Sequence, residues 1–189
     1  MVITKTLLMF KTLVLIIMLS LNGCATITEL LKLDGISTLT GYNNAAIKGT
    51  DLQAIPMALR IDWALQNPGF LLEHITLGLE SFTYPTTRPG VIIGITPLTR
   101  FIYPINEVLK IYLEGGAGPI YLGLKTHEQE KPGFSFLDQL GLGIELHPTQ
   151  KLGIILGYRL THMSHAGLLR TKNRGIESNT ILLGLRFRY

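Results

Sequence analysis

The strongest constraint on this 189-residue chain is a repeated alternation: every second side chain is apolar over strand-length segments, and turn residues separate the segments. The last segment shows it best. Ile181, Leu183, Leu185, Phe187 and Tyr189 occupy the odd positions, and Thr180, Gly184, Arg186 and Arg188 the even ones, with Leu182 as the exception. Side chains of a β-strand leave on opposite faces with period two, so one face is greasy and the other charged. An ordinary strand on a soluble core fits this single segment as well as a membrane strand does.

The same pattern recurs along the chain and predicts eight strands: Gly35–Tyr42, Ile55–Leu65, His74–Tyr84, Val91–Tyr103, Leu109–Gly123, Phe134–Leu146, Lys151–Ser164 and Glu177–Tyr189. Asn67-Pro68-Gly69, Pro104-Ile105-Asn106 and His147-Pro148-Thr149-Gln150 are turns between them. Ala25 to Leu33 reads as a short helix or a tether. Most of the strands are long enough to cross a bilayer at a tilt. Their polar face collects Arg60, Asp62, Glu80, Arg100, Lys110, Glu114, Glu145, Arg159, Arg186 and Arg188. Mixed charges facing a closed interior pair with one another. The expected fold is therefore an all-β, eight-stranded antiparallel transmembrane β-barrel of the outer-membrane type, with an interior filled by side chains. A soluble lipocalin-like barrel would invert the polarity.

Composition and the N-terminus favour the membrane form. Hydrophobic residues make up 47% and charged residues 16%, which excludes a disordered chain. The one continuous apolar run, Thr12 to Leu21, is too short for a spanning helix and follows Lys5 and Lys11, as in an export signal. Residues 1–23 are expected to be that signal and 24–189 a single barrel domain. Leu21-Asn22-Gly23-Cys24 resembles a lipobox, which would make Cys24 a lipidation site and the protein a lipoprotein; cleavage after Ala25 is the alternative. Cys24 is the only cysteine, so no internal disulfide forms. Loss of the signal takes Lys+Arg from 17 to 15 against 13 acids, a net charge of +2, and this gives no reason to expect nucleic acid.

Parity locates a candidate site. In the seventh strand the apolar even row (Leu152, Ile154, Leu156, Tyr158, Leu160) continues into His162 and Ser164. In the eighth the apolar odd row, traced backwards through Asn179, reaches Glu177. All three polar residues are expected on the lipid face at the extracellular rim. A carboxylate facing lipid is costly unless it is paired or interfacial. A serine beside a base, with an acid beside that base, is the arrangement of a nucleophilic hydrolase. His-x-Ser alone carries little weight, because polar residues are normal at barrel rims. The remaining histidines, His74, His127, His147 and His165, lack metal-ligand spacing and read as rim or turn residues; no metal or cofactor is expected.

His162-Met163-Ser164-His165-Ala166-Gly167 followed by Asn173-Arg174-Gly175-Ile176-Glu177 resembles the signature of the PagL family of lipid A 3-O-deacylases. That family consists of eight-stranded outer-membrane barrels with a Ser/His/Glu triad. The resemblance assigns His162, Ser164 and Glu177 to base, nucleophile and acid, and Gly167 and Asn173 to the oxyanion site. His165 stands where the family usually has Asn. The resemblance implies a serine ester hydrolase that releases the 3-O-linked hydroxyacyl chain of lipid A. Its partners would be lipopolysaccharide as substrate and the outer membrane, with a homodimer left open. The alternative is a non-enzymatic small barrel, an adhesin or structural protein.

Overall fold

Eight antiparallel strands pair in chain order, and the eighth returns to the first, closing the sheet. The computed structural model describes residues 31–47, 50–65, 74–84, 90–125, 131–166, 168 and 174–189. The strands are β1 (Leu31–Ile47), β2 (Thr50–Leu65), β3 (His74–Tyr84), β4 (Gly90–Pro104), β5 (Leu109–Leu122), β6 (Gly133–Leu146), β7 (Leu152–Ser164) and β8 (Ile176–Arg188). No helix among the described residues is long and apolar enough to cross a membrane. The signal and Cys24, the Asn67-Pro68-Gly69 turn and His127 lie outside the described residues.

The alternation fixes which face is out. Ile154, Leu156, Leu160, Ile181, Leu183 and Leu185 are all exposed on the outer face of β7 and β8, while their neighbours Ile155, Arg159 and Leu182 are buried. Such an apolar belt is costly in water and favourable in lipid. The greasy-outside polarity therefore holds, and the lipocalin-like inversion does not.

The main difference from expectation is at the start of the sheet. β1 is the longest strand, at 17 residues, and not the short Gly35–Tyr42 segment. Leu31–Leu33 belong to it, so the end of the expected helix or tether is strand. Its outer row of Thr38, Thr40, Tyr42 and Asn44 is polar, so hydrophobic alternation under-reads it. Two neighbours set its length instead, since it pairs with β2 and β8 at once.

The interior has two zones. Towards the end of the barrel where β8 finishes, the fully buried Arg60, Arg100, Arg159 and Arg186 face the buried Asp62, Glu80, Glu114 and Glu145. Glu114 accepts from Arg60 at 3.0 Å, Arg100 at 2.8 Å and Arg159 at 2.8 Å. Arg100 reaches on to Glu145 at 2.6 Å. Arg186 bonds Asp34, a carboxylate absent from the expected set, at 2.8 Å, and Arg188 bonds the same group at 3.0 Å. Lys110, expected with them, is half-buried at the start of β5. Matching charge and multiple hydrogen bonds offset the desolvation of these groups.

The upper zone departs from the expected polar lumen. Phe82, Tyr84, Ile92, Ile120, Leu122, Leu137, Met163 and Ile176 form a buried apolar cluster at the opposite end, where β7 finishes and β8 begins. Two histidines read as rim or turn residues are drawn inward as well. His74 meets Asp34 at 3.2 Å, and His147 meets Glu145 at 3.2 Å. His165 is also buried, at 1% exposure. The interior thus anchors the start of β3 and the end of β6 with polar groups that the alternation does not distinguish.

Candidate functional site

Strands β7 and β8 carry the candidate residues, and their register sets His162 beside Glu177. His162 is the direct cross-strand partner of Glu177. Both belong to the outward rows, with Glu177 exposed and His162 and Ser164 half-buried. Directly paired residues on one face have Cβ atoms about 5 Å apart. Ser164 lies two residues above His162 on the same face, about 7 Å along the strand and within reach of an imidazole leaning upwards.

Gly175 gives the ring that room. It has a left-handed φ of +77°, which favours glycine. A Cβ at this position would stand 2.9 Å from Nε2 and 3.2 Å from Nδ1 of His162, and closer still to Cε1. The imidazole therefore reaches from the Glu177 row up to Gly175, the residue just above the Met163–Ile176 pair and level with Ser164. Glycine in the Asn173-Arg174-Gly175-Ile176-Glu177 run is a spacing requirement of the histidine as well as a backbone one.

Two outward residues of β6 complete the surroundings. Asp138 pairs directly with His162, and Phe136 with Ser164. The imidazole is thus flanked by a carboxylate on each neighbouring strand. Asp138 is only 7% exposed. Phe134 packs edge-on against Phe136, with ring centroids 5.0 Å apart. No motif in the sequence singles out Asp138, although the even parity of β6, through Phe134, Phe136, Leu140 and Leu142, places it on this face. It is far from His162 in the chain, and only strand register joins them.

After Ser164 the chain turns sharply. Ala166 adopts a left-handed φ of 51°, and the Leu168 N–H donates to the His165 carbonyl at 2.9 Å. Gly167 and Asn173, expected at the oxyanion site, lie outside the described residues. No group of three or more metal-ligating side chains occurs among the described residues.

The family model for lipid A 3-O-deacylase (PagL) matches residues 56–186, which contain the whole of β3 to β7 and the β7–β8 site. The chain belongs to the PagL family. This is a family of outer-membrane hydrolases acting on lipid A, and the closed barrel with its apolar belt is that of an outer-membrane protein. Solved structures agree on the fold. The outer-membrane enzyme PagL is 19% identical with a TM-score of 0.57, covering 79% of this chain and 97% of that one. Neisserial surface protein A is 10% identical with a TM-score of 0.67, covering 84% and 99%. The attachment invasion locus protein Ail of Yersinia pestis is 14% identical with a TM-score of 0.55, covering 82% and 97%. At these identities the likeness is one of fold alone. No curated protein sequence matches the chain.

Proposed function

We propose that this PagL-family member removes the 3-O-linked hydroxyacyl chain of lipid A with Ser164 as nucleophile, His162 as general base and Glu177 as the acid that orients the imidazole. The observation that carries the reading is the outward row shared by all three residues, with His162 and Glu177 as direct cross-strand partners. Lipopolysaccharide fills the outer leaflet, so a lipid-facing centre near the extracellular end of β7 meets its ester sideways, without a channel.

His162 takes the hydroxyl proton of Ser164 as its oxygen attacks the acyl carbonyl. The Glu177 carboxylate stabilises the imidazolium that results. By family resemblance, the Gly167 amide and the Asn173 side chain stabilise the oxyanion. The imidazolium returns its proton to the departing sugar oxygen, leaving an acyl-serine. Water, activated by the same histidine, releases the 3-hydroxy fatty acid and regenerates the serine. The greasy row below Ser164, Leu160 and Leu156, offers the departing chain an apolar surface.

Mass spectrometry of lipid A from cells expressing the wild type or Ser164→Ala tests this. The wild type is expected to remove one 3-linked hydroxyacyl chain, and the variant none. Unchanged lipid A with both folded proteins would remove the deacylase reading in favour of a non-enzymatic barrel.

A further inference from the structure

The outer rim beside the proposed triad is chemically lopsided. On β4, β5 and β6 the outward residues nearest the extracellular end are Val91, Ile93, Tyr121 and Phe134, all exposed. On β8, β1 and β2 the corresponding surface carries primary amides. Asn179 pairs with Asn44, and Asn44 pairs with Gln53, so the three lie in one cross-strand row. All three are exposed on the outer face. The row spans two strand spacings, about 10 Å. It begins two residues below Glu177 on the same face, about 7 Å from it along the strand.

Amides are costly on a lipid-facing surface unless their donors and acceptors are used. One of the three has a visible partner: the Tyr158 hydroxyl donates to Asn179 Oδ1 at 2.8 Å. That bond fixes the orientation of the amide and leaves its N–H₂ to donate elsewhere. Asn44 and Gln53 each offer two donors and an acceptor at the same level. The inward neighbour Asn43, by contrast, is tied to Ser178 at 2.8 Å and Thr180 at 2.6 Å. Of these adjacent asparagines, one serves the barrel wall and the other faces the membrane.

We infer that Gln53, Asn44 and Asn179 form a docking row for the amide- and ester-bearing backbone of an acylated glycolipid, which holds it so that one ester stands at Ser164. The inference rests on the proposed deacylase reading and names the surface that would give it substrate selectivity. The chemistry is complementary. An acylated amino-sugar lipid presents amide N–H groups, amide and ester carbonyls and free hydroxyls at the polar–apolar boundary, and primary amides pair with each of these. A glycerophospholipid has esters at that depth but no amide N–H. Lysine or tryptophan, the ordinary anchors of a barrel rim, would not make the distinction.

The test uses the double variant Asn44→Leu/Gln53→Leu, which leaves every proposed catalytic side chain in place. Unheated electrophoretic mobility first establishes that the barrel is folded. Hydrolysis is measured on lipid A in detergent micelles and on a single-chain p-nitrophenyl acyl ester in the same micelles. The expected result is a KM for lipid A raised tenfold or more, with kcat within twofold and the p-nitrophenyl ester unaffected. The swap Asn44→Gln/Gln53→Asn, which keeps the amides, should restore most of the affinity. Lipid A binding is measured in parallel with Ser164→Ala alone and with Ser164→Ala carrying the two leucines, where a tenfold weakening is expected. An unchanged KM and unchanged binding would overturn the docking row, as would equal losses on both esters. Persistent turnover by Ser164→Ala would instead sink the catalytic reading, and the binding comparison would still decide the docking row.

Discussion

Gly175→Ala is the sharpest probe of the proposed site, because it changes one methyl group and no titratable side chain. Two costs follow from the geometry. A side chain at φ +77° carries left-handed strain of about 1–2 kcal/mol. A barrel closed by eight strand pairings is expected to absorb that. The second cost falls on the imidazole. The new Cβ would stand 2.9 Å from Nε2 of His162, whereas non-bonded atoms rest about 3.5 Å or more apart. With Cε1 closer still, the ring must recede by about 1 Å. A displacement of that size between base and nucleophile costs about 100-fold in rate. The expected outcome is therefore a folded barrel with kcat down about 100-fold and KM little changed, measured as hydroxy fatty acid released from lipid A micelles. Gly153→Ala is the matched control: its Cβ would sit 3.2 Å from His147 at the far end of β7, and activity should stay near wild type. If Gly175→Ala kept kcat within twofold, or lost activity only in step with its unfolded fraction, the contact with His162 would have no catalytic meaning.

Other substitutions probe the base and its acid, the charged interior and the apolar belt. His162→Ala should lower kcat more than Glu177→Ala, by about tenfold or more, because an orienting acid acts only through its base; steady-state kinetics showing the reverse order would detach Glu177 from the histidine. Glu114→Ala strips a shared acceptor from three buried arginines and should destabilise the barrel by about 3–5 kcal/mol, read as a lowered urea midpoint for loss of the compact unheated gel band. Leu156→Arg puts a charge on the mid-strand outer face and should cost about 2–4 kcal/mol in the same assay, while Arg at the exposed loop residue Leu168 should cost almost nothing.

The charged interior leaves the proposed site no room inside the barrel. An interior of this width is already occupied by four arginines, their carboxylates and the apolar cluster above them. The proposed catalytic groups accordingly face the outer wall, where a lipid substrate would arrive by lateral diffusion. His162 and Ser164 depart from the apolar row only at the end of β7, where polar side chains on the outer wall are least costly.

Much of this was legible in the chain by itself. Period-two alternation specifies strands whatever they pack against, so β3, read as His74–Tyr84, agrees with the structure at both ends. The same parity put His162, Ser164 and Glu177 on one face, since the face of a strand residue depends only on counting. Counting fails where both rows are polar, and the length of β1 escapes it for that reason. It also says nothing about register. The pairing of His162 with both Glu177 and Asp138, the alignment of Asn179, Asn44 and Gln53, and the reach of Asp34 to Arg186 across 152 residues all arise from how neighbouring strands are staggered when the sheet closes. Closure is a property of all eight strands at once, so no single segment could reveal which side chains would become neighbours.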